Sequence, residues 1–320
     1  MDHMQQLPIY HPIHPNPHLE FRQSFFQITF QAMASDCELL IDLPEERIGF
    51  AKHLADIAVR EVWRIEQKYS RYQDSNTFTR IHQQTGRWQN IDEETYRLLA
   101  FADQGWQISD GLFDLTSGVL RSVWSFDGKS QPPSQADLDQ LLPRIGWFKL
   151  DYRKTGDKAE LLLPEDMELD FGGIGKEYAV DRALGLMLAE AQADETPVSA
   201  LVNLGGDMAC SGLRLSEESW KVAIERPDTE KNSLALLSLS GGGLATSGDS
   251  RRFLLKDGVR YSHVLNPKTG WPVDNAPRSV TVAAPSCAQS GLIATLALLQ
   301  GPHAEDFLKS TGLRYWLVSN

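Results

Sequence analysis

Between Phe21 and Asp42 the chain alternates apolar and polar residues. Phe26, Ile28 and Phe30 share one face, and Cys37, Leu39 and Ile41 resume the pattern after a break at Met33–Asp36. A period of two puts apolar side chains on one side of a pleat, so this stretch predicts two strands around a turn. The period then changes. Pro44 suits the opening of a helix, and Ile48, Leu54, Ile57, Val62, Ile65 and Tyr69 recur at helical spacing, predicting a long amphipathic helix. A second helix is expected over Asp92–Ile108, a loop at Asp127–Pro133 and a short helix over Asp137–Leu142. Leu161–Leu169 reads as paired strands, and Ile174–Ala191 as a helix that follows two glycines.

The second half is richer in strands: Ser199–Leu204, Trp220–Glu225, Leu234–Leu239, Ser279–Ala284 and Arg314–Val318, with one helix over Ala288–Leu299. Arg252–Lys256 and Val259–Leu265 flank Asp257-Gly258, a dipeptide that accepts the positive φ of a type I′ hairpin turn. There is no repeat at a fixed period, no Gly/Ser linker and no steady strand–helix–strand rhythm. The expected class is α+β, with mixed, mainly antiparallel sheets and packed helices. Residues 1–20 scatter His3, His11, His14 and His18 among Pro and Asn and are expected to form an irregular arm, leaving residues 21–320 as one domain.

Composition narrows the chemistry. Of 320 residues, 42% are hydrophobic, which fits a globular protein with a sizeable core. With 31 basic and 43 acidic side chains the net charge is −12, which argues against nucleic acid or an anionic membrane as partner. Any phosphate must then be held locally, by backbone amides, a metal or a single well-placed Lys. Cys37, Cys210 and Cys287 are odd in number and lack metal-ligand spacing, as expected of core thiols in a reducing compartment. No apolar run is long enough to span a membrane, and the N-terminal residues lack a basic stretch followed by an apolar one. A cytoplasmic location is therefore expected.

Several segments have the residue types of a phosphate-handling site. Asp170-Phe-Gly-Gly-Ile-Gly-Lys176 leaves a strand and opens a helix, where glycines let amides approach an anion and Lys176 adds a charge. It matches neither a P-loop nor a dinucleotide fingerprint, so alone it is also compatible with a plain turn. Leu201-Val-Asn-Leu-Gly-Gly-Asp207 and Ala245-Thr-Ser-Gly-Asp249 are two more small-residue strand ends that close on an acid. His263 stands on the return strand of the expected hairpin, before Asn266-Pro-Lys-Thr-Gly270, where it could accept a proton from an attacking hydroxyl. Gly111-Leu-Phe-Asp-Leu-Thr116 and Ser70-Arg-Tyr-Gln-Asp-Ser75 complete the set. Phe113, Tyr72, Trp124 and Trp271 offer flat surfaces for an aromatic ligand or for core packing.

These segments, in this order from about Phe30 to Val318, resemble the ApbE-type FAD:protein FMN transferases. The resemblance implies cleavage of FAD at its pyrophosphate and transfer of FMN, through its phosphate, to a Thr or Ser hydroxyl of an acceptor protein. AMP leaves and Mg²⁺ assists. It further implies FAD contacts at Met33, Tyr72, Leu112, Phe113, Asp114, Asp170, Lys176 and Leu265, and His263 as general base. Metal ligation is implied at Gly173, through its carbonyl, and at Thr295.

The chain departs from that family pattern at the metal. Family members place an Asp and, four residues on, a Thr on one helix face; here Gly291 stands in the Asp position before Thr295. Glu177 replaces a Gly, Asn266 replaces an acid, and Met33-Ala-Ser35 replaces Met-Gly-Thr. On this reading Gly291→Asp is expected to raise Mg²⁺ affinity. Two further readings stay open: a catalytically weakened FAD-binding relative, and Mg²⁺-dependent hydrolysis of FAD to FMN and AMP.

Overall fold

The computed structural model describes residues 16–71, 75–127, 130–226, 229–249 and 253–319, with no side-chain description for residues 225–234. Tyr72, Arg252, His3, His11 and His14 lie outside the described residues. The expected arm shares that region, and its last residues, from His18, already belong to a strand.

The chain opens with an antiparallel meander of β1 (His18–Arg22), β2 (Phe25–Ala32) and β3 (Ser35–Asp42). Met33 and Ala34 alone connect β2 to β3, with φ of 51° and 56°. Two positive φ angles give the backbone twist that a two-residue hairpin needs. Helix α1 (Ile48–Tyr69) follows, then α2 (Thr77–Gln83), β4 (Trp88–Ile91) and α3 (Glu93–Ile108). Asp92 starts α3 by accepting the Thr95 N–H at 2.8 Å. A 3-10 segment, Leu115–Ser122, leads to α4 (Gln135–Leu141), whose first turn carries a Ser134/Asp137 capping box.

Next come β5 (Asp151–Thr155) and β6 (Lys158–Leu162), the tight turn Phe171–Gly173 and α5 (Gly175–Ala193). The remainder runs β7 (Ser199–Leu204), β8 (Asp207–Cys210), β9 (Trp220–Arg226), β10 (Thr229–Leu239), β11 (Gly242–Gly248), β12 (Phe253–Lys256), β13 (Val259–Ser262), β14 (Ser279–Ala284), α6 (Cys287–Leu299), α7 (Ala304–Thr311) and β15 (Arg314–Val318).

Eight strands form one wholly antiparallel sheet in the order β1-β2-β3-β7-β8-β11-β14-β15. Its centre is buried on both faces. Leu39, Ile41, Val202, Leu204 and Ala245 meet α1, α5 and α6 on one side. Leu201, Met208, Cys210 and Leu244 meet Trp220, Val222, Ile224 and Leu239 of the β9–β10 hairpin on the other. Strand β7 is therefore buried on both faces from Ser199 to Val202 rather than alternately. A second cluster, built on Val119, Leu120, Trp124, Leu138 and Leu254, joins the 3-10 segment to α4 and the β12–β13 hairpin. The α+β expectation holds, with packed helices against antiparallel sheets. Among the described residues no helix is long and apolar enough to cross a membrane.

Two strand expectations fail for local reasons. The pairing expected over Leu161–Leu169 stops at Leu162, and the hairpin lies upstream, β5 against β6. Pro164 has no N–H to give a ladder, and Asp166 turns the chain with φ of 61°. The return strand expected to Leu265 ends at Ser262, where the Ser262 hydroxyl takes the Val264 N–H at 3.2 Å and diverts the backbone from the ladder.

Candidate active site

The β2–β3 hairpin tip, the β7–β8 turn and the start of α5 come together. The Met33 N–H is held at 2.8 Å by the Glu66 carboxylate of α1, which fixes the half-buried residue at the tip. Gly205, with φ of 64°, lets the β7–β8 turn close on that tip, because a Cβ there would stand 2.7 Å from Ser35 Cβ. The same point lies 3.7 Å from Lys176 Nζ. Lys176 in turn pairs with Asp207 Oδ2 at 2.7 Å. Burial pulls the Lys176 pKa down, but the Asp207 carboxylate raises it further, so the net shift is upward and the ammonium stays charged.

Helix α5 is locked to α6 behind this group. Asp181 accepts the amides of Cys287 and Ala288 at 2.8 and 2.9 Å, so it caps α6 from a neighbouring helix. About one turn earlier, Glu177 lies buried between the two helices, and its Oε2 has no hydrogen-bond partner. Desolvation and the neighbouring Asp207 charge hold its pKa well above the usual carboxylate range. Its side chain passes directly over Gly291: a Cβ on residue 291 would lie 2.6 Å from both Cγ and Oε1 of Glu177. An Asp at position 291 would therefore require the Glu177 side chain to move, a condition the sequence expectation for Gly291→Asp did not include.

The Phe171–Gly173 turn leads into α5. Asp170 caps the turn by accepting the Gly172 N–H at 2.8 Å, and it pairs with Arg71 and, at 3.7 Å, with Arg121. Phe113 lies 3.5 Å from the point where Gly173 would carry a Cβ, and it also packs on Gly105 of α3. Asp114 is turned inward. Its carboxylate accepts the Thr116 amide and hydroxyl and the Trp147 amide at 2.6–2.8 Å. Among the predicted contacts its side chain is therefore an anchor for the Leu112–Asp114 corner.

Strand β11 ties this group to the opposite wall. The Thr246 amide donates to Asp207 Oδ1 at 3.2 Å, and the Ser247 and Thr295 hydroxyls share a bond of 2.8 Å. Asp249 then clamps Arg260 of β13 at 2.7 Å and Arg278 at 2.8 Å. Asp249 thus anchors the hairpin that delivers His263, which stands on the bend just past β13, half-buried, with Phe126 edge-on at 6.3 Å. Leu265 pairs with Pro272 and packs in the Trp124 cluster. Trp124 is itself core, buried beneath Phe126 and Trp271.

The structure therefore collects Met33, Lys176, Asp207, Glu177 and Thr295 around the α5–α6 contact. It sets Asp170, Phe113 and Gly173 at the entrance to α5, while His263 and Leu265 follow the β12–β13 hairpin that Asp249 anchors. Sequence reasoning gave no role to Ser247, Glu66, Asp181 or the clamp on Asp249, which become visible only when the elements are packed together. Among the described residues no three His, Cys, Asp or Glu side chains cluster at metal-binding spacing. A cation here would draw instead on mixed oxygen donors: a hydroxyl, a carbonyl and a single carboxylate.

Comparison with known proteins bears on this arrangement. The model of the ApbE family matches residues 26–317. The FAD:protein FMN transferase of Haemophilus influenzae is 28% identical over 264 residues, 79% of this chain and 75% of that protein. The one from Escherichia coli is 31% identical over 218 residues, 66% of this chain and 60% of the relative. The chain's match thus stops short of two thirds of the Escherichia coli protein's length. Among solved structures, the ApbE protein of Thermotoga maritima superposes with a TM-score of 0.81 at 25% identity, covering 92% of this chain and 94% of its own. The flavinyl transferase ApbE of Pseudomonas stutzeri, in its apo form, gives 0.76 at 25% identity over 95% and 92%.

Proposed function

The chain belongs to the ApbE family, and from that premise we propose that it is a FAD:protein FMN transferase. The observation that carries the reading is the convergence of the Met33 tip, Lys176 on Asp207 and the start of α5, tied through β11 to Asp249, which clamps the hairpin that precedes His263. A phosphoryl transfer requires charge to meet a pyrophosphate and a group to accept a proton, and Lys176 and His263 supply those two functions.

In the proposed reaction an acceptor Thr or Ser hydroxyl attacks the FMN-side phosphorus of FAD. The phosphoester bond forms as the anhydride P–O bond breaks, AMP leaves, and the hydroxyl proton passes to His263. Lys176 offsets pyrophosphate charge, and its orientation depends on Asp207. The Met33 tip, the Leu112–Asp114 corner, Asp170, Lys176 and Leu265 bind FAD, together with Tyr72, which lies outside the described residues. Thr295 and the Gly173 carbonyl would hold Mg²⁺. Hard oxygen donors suit that ion, and the idle buried oxygen of Glu177 beside Gly291 is the kind of group a cation satisfies. When bound, Mg²⁺ neutralises charge on the substrate's phosphates. The partner is an acceptor protein that presents a Thr/Ser-containing segment. The reading places the protein in the cytoplasm, whose reducing milieu suits the buried free thiols of Cys37, Cys210 and Cys287.

The test is in-gel flavin fluorescence after incubation with FAD, Mg²⁺ and a carrier that bears an acceptor segment. A fluorescent carrier band that survives denaturation is expected. A dark carrier, with FAD still co-purifying, would move the assignment to a flavin-binding relative, and free FMN plus AMP with a dark carrier would make it a hydrolase.

A further inference from the structure

Gly291 and Glu177 are neighbours across the α5–α6 contact, and neither is explained alone. Gly291 sits in the interior of α6, where glycine weakens a helix relative to alanine. Glu177 is buried to more than nine-tenths and keeps one oxygen with no partner. A buried carboxylate with an idle oxygen is costly to maintain unless a ligand completes it. Together the two residues make sense. The Glu177 side chain crosses from α5 over position 291, and any Cβ there would stand 2.6 Å from its Oε1. Glycine is the residue that leaves it room.

The surrounding charges are already committed. Lys176 is paired with Asp207 at 2.7 Å, and Asp181 is engaged by the Cys287 and Ala288 amides. That leaves Glu177, among the described residues, with no ion pair of its own and an unpartnered Oε2, beside the α6 face that carries Thr295 one turn beyond Gly291. The turn that contains Gly173 packs against the same helix.

We propose that Glu177 supplies, from α5, the carboxylate ligand of a divalent cation held also by the Thr295 hydroxyl and the Gly173 carbonyl, and that residue 291 is glycine because that side chain occupies its space. The assignment rests on the flavin-transfer reading for the identity of the ion as Mg²⁺. The departures at 177 and 291 then become a single exchange, in which a carboxylate lost from one helix is replaced from its neighbour.

The experiment titrates the full chain with Mn²⁺, in the presence of FAD, and follows free Mn²⁺ by electron paramagnetic resonance. FAD binding is measured separately by quenching of flavin fluorescence. Wild-type protein is expected to bind Mn²⁺. Glu177→Gln is expected to lose at least about tenfold in Mn²⁺ affinity while it still binds FAD. The double variant Glu177→Gly/Gly291→Asp should regain Mn²⁺ binding, because removal of one side chain opens the space that the other needs. Glu177→Gln with wild-type Mn²⁺ affinity would overturn the assignment, as would a folded double variant that binds none, or wild-type protein that binds FAD but no Mn²⁺. Mn²⁺ bound through Glu177 with no flavin bound and no carrier labelled would leave the ligand standing and refute the transferase reading instead.

Discussion

Asp207→Asn offers a direct test of how the site is held. Asp207 is buried and lies 2.7 Å from the Lys176 ammonium, whose side chain keeps 29% of its exposure. Two unit charges about 4 Å apart attract by about 4 kcal/mol at an effective dielectric near 20, and by only about 1 kcal/mol in water. Truncation of one partner of a buried pair typically costs about 3–5 kcal/mol, because the survivor is left uncompensated. Residual hydration of Lys176 places the expected loss at the low end, about 3 kcal/mol. Asn can keep the bond from the Thr246 amide, so the change isolates the charge. Chemical denaturation of Asp207→Asn, Lys176→Met and the double variant measures the coupling, which should exceed about 1.5 kcal/mol. At the unfolding entropy typical of globular chains, the single variant should also lower Tm by about 4 °C. A coupling below about 0.5 kcal/mol would mean the pair behaves like a solvated surface pair. Asp207 would then not be what orients Lys176.

Three other outcomes follow from the same geometry. His263→Ala should lower flavin transfer by about 10²–10⁴-fold with FAD retention unchanged; loss of FAD retention would instead make His263 a binding residue. Gly243→Ala should destabilise by about 1–3 kcal/mol or more, since its Cβ would fall 2.2 Å from the Cys287 nitrogen, whereas Gly185→Ala, with no atom within 4 Å, should be stabilising by up to about 1 kcal/mol. Equal melting temperatures for those two variants would contradict the packing described. Glu94 is raised by burial but lowered more by Arg64, Lys68 and Tyr178, from 4.5 to about 2. A carboxylate depressed in the folded state stabilises above its unfolded pKa and loses that contribution as pH falls, so stability should drop between pH 4.5 and about 2 by about 3 kcal/mol. Glu94→Gln should flatten that acid limb in urea titrations at successive pH values.

The periodic elements were determined by sequence alone. Strands β7, β14 and β15 fall on the predicted residues, and α1, α3, α5 and α6 agree to within a few residues at their ends, because period and capping are properties of neighbouring positions. The clustering of glycine-rich strand ends was legible too, as was the family, since both rest on contiguous motifs. The end of β6 at Leu162 was not, because hydrophobicity does not register that Pro164 lacks an N–H. Strand β11 was visible only in part, as the Ala245–Asp249 strand end, since Gly242 and Gly243 at its start read as a loop until β8 and β14 are laid beside them. The exchange between Glu177 and Gly291 is the plainest case. The chain shows a misplaced acid and a missing one, 114 positions apart, as two unrelated departures. Only the packing of α5 on α6 shows that one side chain occupies the other's space, because the volume a residue can fill is set by non-local neighbours that no local pattern encodes.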